Sequence, residues 1–204
     1  MQDLVKQLMK AIGDKEVWKN AKGCYMLAIA HQRNLELPMV RSFWIDFEEP
    51  RIKIQTRSNQ KNSTKVLNRT NGWTIEKGVS SFWDEKTVND YHLFWQGIPT
   101  RIFHLLSRKE RNLSYEMESN KIHFSFKGNS IFWIALDHGG NPSAHGNSNP
   151  KSKTYFLGEM TSYRKINLWK EAVEQGGKQR IELIDYQLLN DMSHISYDPL
   201  SPII

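Results

Sequence analysis

Apolar residues along this chain repeat with two different periods, and the switches between them mark its elements. From Asp3 to Ile12, Leu4, Leu8 and Ile12 recur every four residues with Val5 and Met9 beside them, the spacing of one helical stripe. Asp3 can cap that helix and Gly13 can stop it. Between Trp18 and Gln32 the period shortens: Tyr25, Leu27 and Ile29 alternate with Cys24, Met26, Ala28 and Ala30. Both sets are apolar, which predicts a strand covered on both faces. Further strands are predicted over Arg41–Phe47, Arg51–Arg57, Thr64–Arg69 and Trp73–Lys77. Glu49-Pro50, Ser58-Asn59 and Asn71-Gly72 supply the turn chemistry between them, and Asn-Gly is the strongest short hairpin signal.

A helical period returns from Asp84 to Glu110, where Val88, Tyr91, Trp95, Ile98, Ile102 and Leu105 step by three or four. Pro99 lies inside it, so the segment should break near Gly97 into two helices. From Leu113 the chain alternates again. Strands are expected over Lys121–Phe126, Ile131–Leu136, Tyr155–Leu157, Arg164–Trp169 and Arg180–Leu189, with Lys127-Gly128-Asn129 and Gln175-Gly176-Gly177 as tight turns. The Pro-, Gly-, Asn- and Ser-rich stretch from Asn141 to Lys153 reads as loop, and the end from Ser193 through Asp198-Pro199-Leu200-Ser201-Pro202 as an extended arm.

Roughly ten strands joined by short connections predict a mainly β (α+β) fold with neighbouring strands antiparallel. A sheet that large has to twist and curl. The amphipathic helices each need an apolar floor. The economical arrangement is a half-open barrel with the N-terminal helix and the central helices over its concave face, with residues 1–204 forming a single domain.

Composition adds limits. A chain of 204 residues can bury about 70% of its unfolded surface without disulfides or a metal. The one cysteine, Cys24, sits in the apolar strand run and reads as a small core residue. The net charge of +6 is spread along the chain, as on solvated strand faces, with no block that would mark a nucleic-acid partner. Attraction to an anionic membrane surface remains open on that charge. No apolar run is long enough to span a membrane as a helix.

Candidate chemistry is sparse. The seven histidines have no metal-ligand spacing. There is no Gly-x-Ser-x-Gly, phosphate-cradling loop or dinucleotide fingerprint. Asp84-Glu85 stands at a helix start, where the dipole accounts for it. Cofactors are therefore not expected, and neither is an enzyme. A triad dispersed in sequence stays open as an alternative.

Three segments carry a family resemblance: Phe43-Trp44-Ile45 leading to Glu49-Pro50-Arg51, then Asn71-Gly72-Trp73-Thr74-Ile75. In these segments, and in the order of its elements, the chain resembles the LolA/LolB family of periplasmic lipoprotein carriers. The resemblance implies a half-barrel and a lipid or acylated lipoprotein as partner. It further implies an exported monomer, with envelope proteins and the membrane surface as further contacts. The family places an arginine directly before that proline, facing the cavity; this chain has Glu49 there.

If position 49 faces inward, alternation puts Phe47, Ile45 and Phe43 inward too. The candidate ligand-binding set is Tyr25, Leu27, Ile29, Phe43, Ile45, Phe47, Glu49, Ile52, Ile54 and, from the central helices, Trp95. At roughly 0.8 kcal/mol per CH₂, a chain of about fourteen carbons would gain about 10 kcal/mol in such a cavity before ordering costs. The same residues could instead pack the helices onto the sheet, leaving an interaction or scaffold module without a ligand.

Overall fold

A computed structural model describes residues 3–59, 62–147 and 153–198 of the chain. Helix α1 (Leu4–Ala11) starts where expected, with the Asp3 carboxylate accepting from the Lys6 amide at 3.2 Å. A second helix, α2 (Lys15–Asn20), occupies the first part of the segment predicted as strand. Its cap explains the difference: the Asp14 carboxylate accepts from the Glu16 amide at 2.9 Å. The helical turn also delivers Trp18 to the core.

Strands β1 (Gly23–Gln32), β2 (Met39–Asp46), β3 (Arg51–Arg57), β4 (Asn62–Asn68), β5 (Asn71–Glu76) and β6 (Val79–Phe82) follow. The central helices are α3 (Glu85–Gln96) and α4 (Pro99–Arg108), and the break falls at Gly97. Pro99 begins α4, where its missing N–H costs nothing. The second run of strands is β7 (Leu113–Glu118), β8 (Lys121–Phe126), β9 (Asn129–Leu136), β10 (Pro142–Asn147), β11 (Thr154–Leu157), β12 (Met160–Tyr163), β13 (Ile166–Trp169), β14 (Glu171–Glu174) and β15 (Gln179–Leu189).

Among the described residues, thirteen strands form one antiparallel sheet in the order β6-β5-β4-β3-β2-β1-β15-β14-β11-β10-β9-β8-β7. The sheet is open, with β6 and β7 as its edges. Register shifts at Leu27/Ala28, Pro142/Ala144 and Phe124/Ser125 bend the strands that carry them. The remaining pair, β12–β13, is a hairpin that leaves the sheet. It binds the end of α1 through the Asn167 amide to the Ile12 carbonyl at 2.9 Å and the Asn167 side chain to the Ala11 carbonyl at 3.0 Å.

Two predicted segments differ in detail. Residues 142–147, expected as loop, form β10 because they pair with β9 on one side and β11 on the other. The backbone groups of two apolar strands need that partner, and the need overrides a loop-like composition. The rest of that expected loop, residues 148–152, lies outside the described residues, as does the arm beyond Asp198.

The Asn71-Gly72 pair is not the hairpin turn. Asn68 pairs with Asn71, and Arg69 takes the positive φ of 56°. Gly72 serves packing instead: a Cβ there would lie 2.0 Å from the Trp83 ring. Gly72→Ala should therefore displace Trp83 and lower stability by about 1–3 kcal/mol, read from a shifted urea midpoint. A stability change under 0.5 kcal/mol would contradict this packing account.

One core occupies the inner face. Leu8, Ile12 and Trp18 from the N-terminal helical region, Ile102 and Phe103 from α4, and Ile166 and Leu168 from the small hairpin meet Ile45, Ile52, Ile122 and Phe124 from the sheet. A smaller cluster lies on the outer face, where Met192 and Tyr197 of the C-terminal segment cover Val66, Trp73 and Ile75.

Candidate functional site

Strand register sorts the candidate residues onto two faces. Cys24 pairs with Ile45, Ile45 with Ile52, and Ile52 with Leu67; Met26 pairs with Phe43, and Phe43 with Ile54. These residues share the inner face with Phe47, as alternation along β2 and β3 requires. Tyr25, Leu27 and Ile29 pair with Trp44, Ser42 and Val40 and so lie on the outer face. There Tyr25, Leu27, Val40, Ser42, Trp44, Gln55 and Arg57 edge a shallow groove. The placement of these three beside Phe43 and Ile45 is thus corrected by the register.

Glu49 does not face inward either. It sits on the turn between β2 and β3, where its carboxylate accepts from Arg69 at 2.9 and 3.0 Å and pairs with Arg51 at 2.6 Å. The Arg69 hydrogen bonds lead the forces that hold its carboxyl below the usual range.

The inward candidates are mostly covered. Ile45, Phe47 and Ile52 are buried in the main core with Trp95, while Phe43 and Ile54 are half-buried against it. Trp95 donates its indole N–H to the Asp46 carbonyl at 2.6 Å. Over its face lies Arg101 of α4, 3.7 Å from the ring centroid. Arg101 is 2% exposed and donates from Nε to the Phe47 carbonyl at 3.1 Å. Burial lowers its pKa to about 10, so it stays charged at neutral pH. An arginine thus pins the helical cover to the end of β2 from the helix side, while the position before Pro50 holds Glu49. Its place on the Ile98–Ile102–Leu105 stripe was a signal in the sequence: a cation among core positions needs a buried acceptor.

Cys24 is buried on this face, and its burial pushes the thiol up to about 12, which makes it inert.

Helix α3 is held along one side only. Trp83, just before it, donates its indole N–H to Thr74 Oγ1 at 2.8 Å, and Tyr91 stacks on Trp83 with centroids 4.2 Å apart. His92 contacts the Arg69 carbonyl. On its other side α3 borders a cavity of about 380 Å³ between the α3–α4 junction and strands β9, β10 and β11. Leu93, Phe94, Pro99 and Ile131 form its apolar wall, and Asp90, Ser130, His145, Asn147, Lys153 and Tyr155 its polar one. The size falls within the roughly 300–1,000 Å³ typical of small-molecule sites.

Leu93 and Phe94 are 50% and 39% exposed despite being large and apolar. Lys153 is paired with the buried Glu174 at 2.8 Å, and the Tyr155 hydroxyl meets Gln179 Oε1 at 3.2 Å. Sequence reasoning missed His145, Asn147 and Lys153 of this wall because they lie on the segment read as loop, and Asp90, Ser130 and Tyr155 because they come from three separate elements.

His145 is enclosed by aromatic rings, with Trp169, Tyr155 and Phe132 centroids at 5.3, 5.5 and 5.6 Å. Burial pushes its pKa down to about 4, so the ring is neutral at pH 7. Such a group lowers stability in acid, because the unfolded chain takes up the proton first. Its contribution is complete above about pH 6.5 and is lost progressively as pH falls to about 4, by roughly 3 kcal/mol in all. The wild-type loss of stability between pH 7.5 and 4.5 should shrink in His145→Phe; equal losses in both proteins would count against the buried neutral ring.

No family model matches the chain, and no curated protein matches it. Solved structures do. A DUF1329 family protein from Desulfovibrio piger is 8% identical over 89% of this chain and 90% of its own, with a TM-score of 0.50. A Vibrio parahaemolyticus domain assigned to outer membrane lipoprotein sorting is 6% identical over 93% and 95%, with a TM-score of 0.47. The likeness to the first is one of fold: a large curved antiparallel sheet with a few helices.

Proposed function

We propose that this chain is a single, exported, LolA-like domain that binds an apolar ligand, a lipid or the acyl chains of a lipoprotein, without transforming it. The observation that carries this reading is the cavity of about 380 Å³ beneath a helix anchored on one side only. Helix α3 keeps Leu93 and Phe94 at that cavity at 50% and 39% exposure, where water gains nothing from them and an acyl chain would. The segments that resemble the carrier family and the shared half-barrel fold agree with it. Ligand entry would lift the first turns of α3, while Trp95 and Arg101 keep the α3–α4 junction on the sheet. On this reading the protein acts as a monomer in the periplasm, and its partners are lipids, acylated proteins and the membrane surface that supplies them.

The test is mass spectrometry of an organic extract of the natively purified protein, together with displacement of an apolar fluorescent probe. Stoichiometric lipid, or probe binding that Leu93→Glu abolishes in a folded protein, is the expected result. Leu93 is exposed, so this variant keeps the core. Probe binding equal in the variant and the wild type would remove the cavity from the argument.

A second reading is an envelope interaction module. The complete burial of Ile45, Phe47 and Ile52 under the helices favours it, since that part of the concave face is already filled. Absence of both extracted lipid and probe binding would select this reading and make capture of a partner the next experiment.

A further inference from the structure

We infer that the cavity holds its ligand through an uncharged carbonyl oxygen, of an ester or an amide, that accepts a hydrogen bond from His145. This rests on the carrier reading above and names the chemistry its ligand must carry beside the acyl chain.

His145 lies on β10, facing inward opposite Ile134 of β9 and Tyr155 of β11. Among the described residues no hydrogen bond engages its ring, and Nδ1 is enclosed without a partner. Nε2 is not enclosed in that way, and the ring borders the cavity. A buried N–H without an acceptor costs more than a buried lone pair without a donor. The favoured tautomer therefore leaves the lone pair on Nδ1 and places the N–H on Nε2, toward the cavity. Its low pKa keeps it from becoming a cation that would call for an anion. What the ring lacks is an acceptor, and the adjoining wall of Leu93, Phe94 and Ile131 is apolar.

The charges around the cavity argue for a neutral acceptor. Lys153 is already neutralised by Glu174 at 2.8 Å, and Asp90 adds a negative charge to the wall. Arg41, on the inner face of β2, is near enough to act on Tyr155 but does not border the cavity. A carboxylate ligand would meet Asp90 with no free cation among the described residues of the wall to offset it. An ester or amide carbonyl carries the needed acceptor without that repulsion. Esters of glycerol and N-acylated peptides both supply it.

The experiment compares four ligands of equal chain length, displacing one fluorescent probe from wild type and His145→Phe. They are a dodecanoyl glycerol ester, an N-dodecanoyl peptide amide, dodecanoate and dodecane. Phenylalanine keeps the aromatic stack and removes the donor. The ester and the amide should bind wild type about fivefold tighter than dodecane, and that margin should vanish in the variant. Which of the two binds tighter identifies the source as a glycerolipid or an acylated peptide.

If dodecanoate binds best, or if ester, amide and dodecane bind wild type equally, the inference is overturned while the apolar cavity stands. An unchanged margin in a cooperatively folded His145→Phe overturns it as well. Should that variant not fold, the wild-type comparison alone decides. If none of the four displaces the probe, the carrier reading itself fails.

Discussion

Replacing Trp18 with alanine is expected to remove about 3–5 kcal/mol of stability, the range for deleting a large buried aromatic side chain. Trp18 is completely buried, edge-on to Phe103 at 5.5 Å and tilted against Tyr186 at 6.4 Å. It joins α2, α4 and β15 in one contact. Its indole N–H donates to the Ile12 carbonyl at 3.1 Å, so truncation also removes one of the two hydrogen bonds to that carbonyl, which keeps the Asn167 amide at 2.9 Å. A domain of this kind has about 5–15 kcal/mol in total, so the variant should be largely unfolded in modest denaturant. Urea unfolding followed by circular dichroism measures it. A midpoint shift worth less than 1 kcal/mol would mean that the three elements are held together elsewhere. Trp18→Phe should retain most of the packing and lose mainly the hydrogen bond.

Arg101→Ala is expected to cost about 3 kcal/mol and to loosen the α3–α4 junction. The guanidinium is buried, donates to the Phe47 carbonyl at 3.1 Å, and covers Trp95 at 3.7 Å and Phe126 at 5.0 Å. Alanine leaves a buried carbonyl unsatisfied and removes a desolvated cation–π contact. Arg101→Lys should recover less than half, because an ammonium cannot lie flat between two rings while donating sideways. Hydrogen exchange should rise at the start of α4 in the alanine variant while β8 and β9 keep their protection. Uniformly raised exchange would assign Arg101 to global stability alone, with no role in pinning the cover.

Much of this architecture was legible beforehand. The i, i+4 stripe over Asp3–Ile12 gave α1, and Pro99 after Gly97 divided the central helical region where the structure divides it. Alternation located β2, β3, β8 and β15 to within two residues. What escaped were elements whose local signal opposes their state. Trp18 looked like the start of a strand because it precedes one, and only the Asp14 cap turns that segment into α2. Residues 142–147 carry loop composition yet form β10, so His145 was not recognised as a cavity residue. Arg101 was readable in principle, since it interrupts an apolar stripe, but nothing local says which carbonyl it will reach.

The sequence by itself determined the periods: where strands and helices run, and which residues of one strand share a face. Phe43, Ile45 and Phe47 had to point the same way because side chains alternate along any strand. Tertiary structure alone decided which face of β1 joins them. β1 is apolar on both sides, so its own pattern carries no preference, and the pairing of Cys24 with Ile45 instead of Tyr25 with Ile45 settles it. That choice sent Tyr25, Leu27 and Ile29 to the outer face. It left the inner face to be filled by the helices over Ile45, Phe47 and Ile52 and to stay open beside His145, because filling depends on where the helices dock and not on any residue's own character.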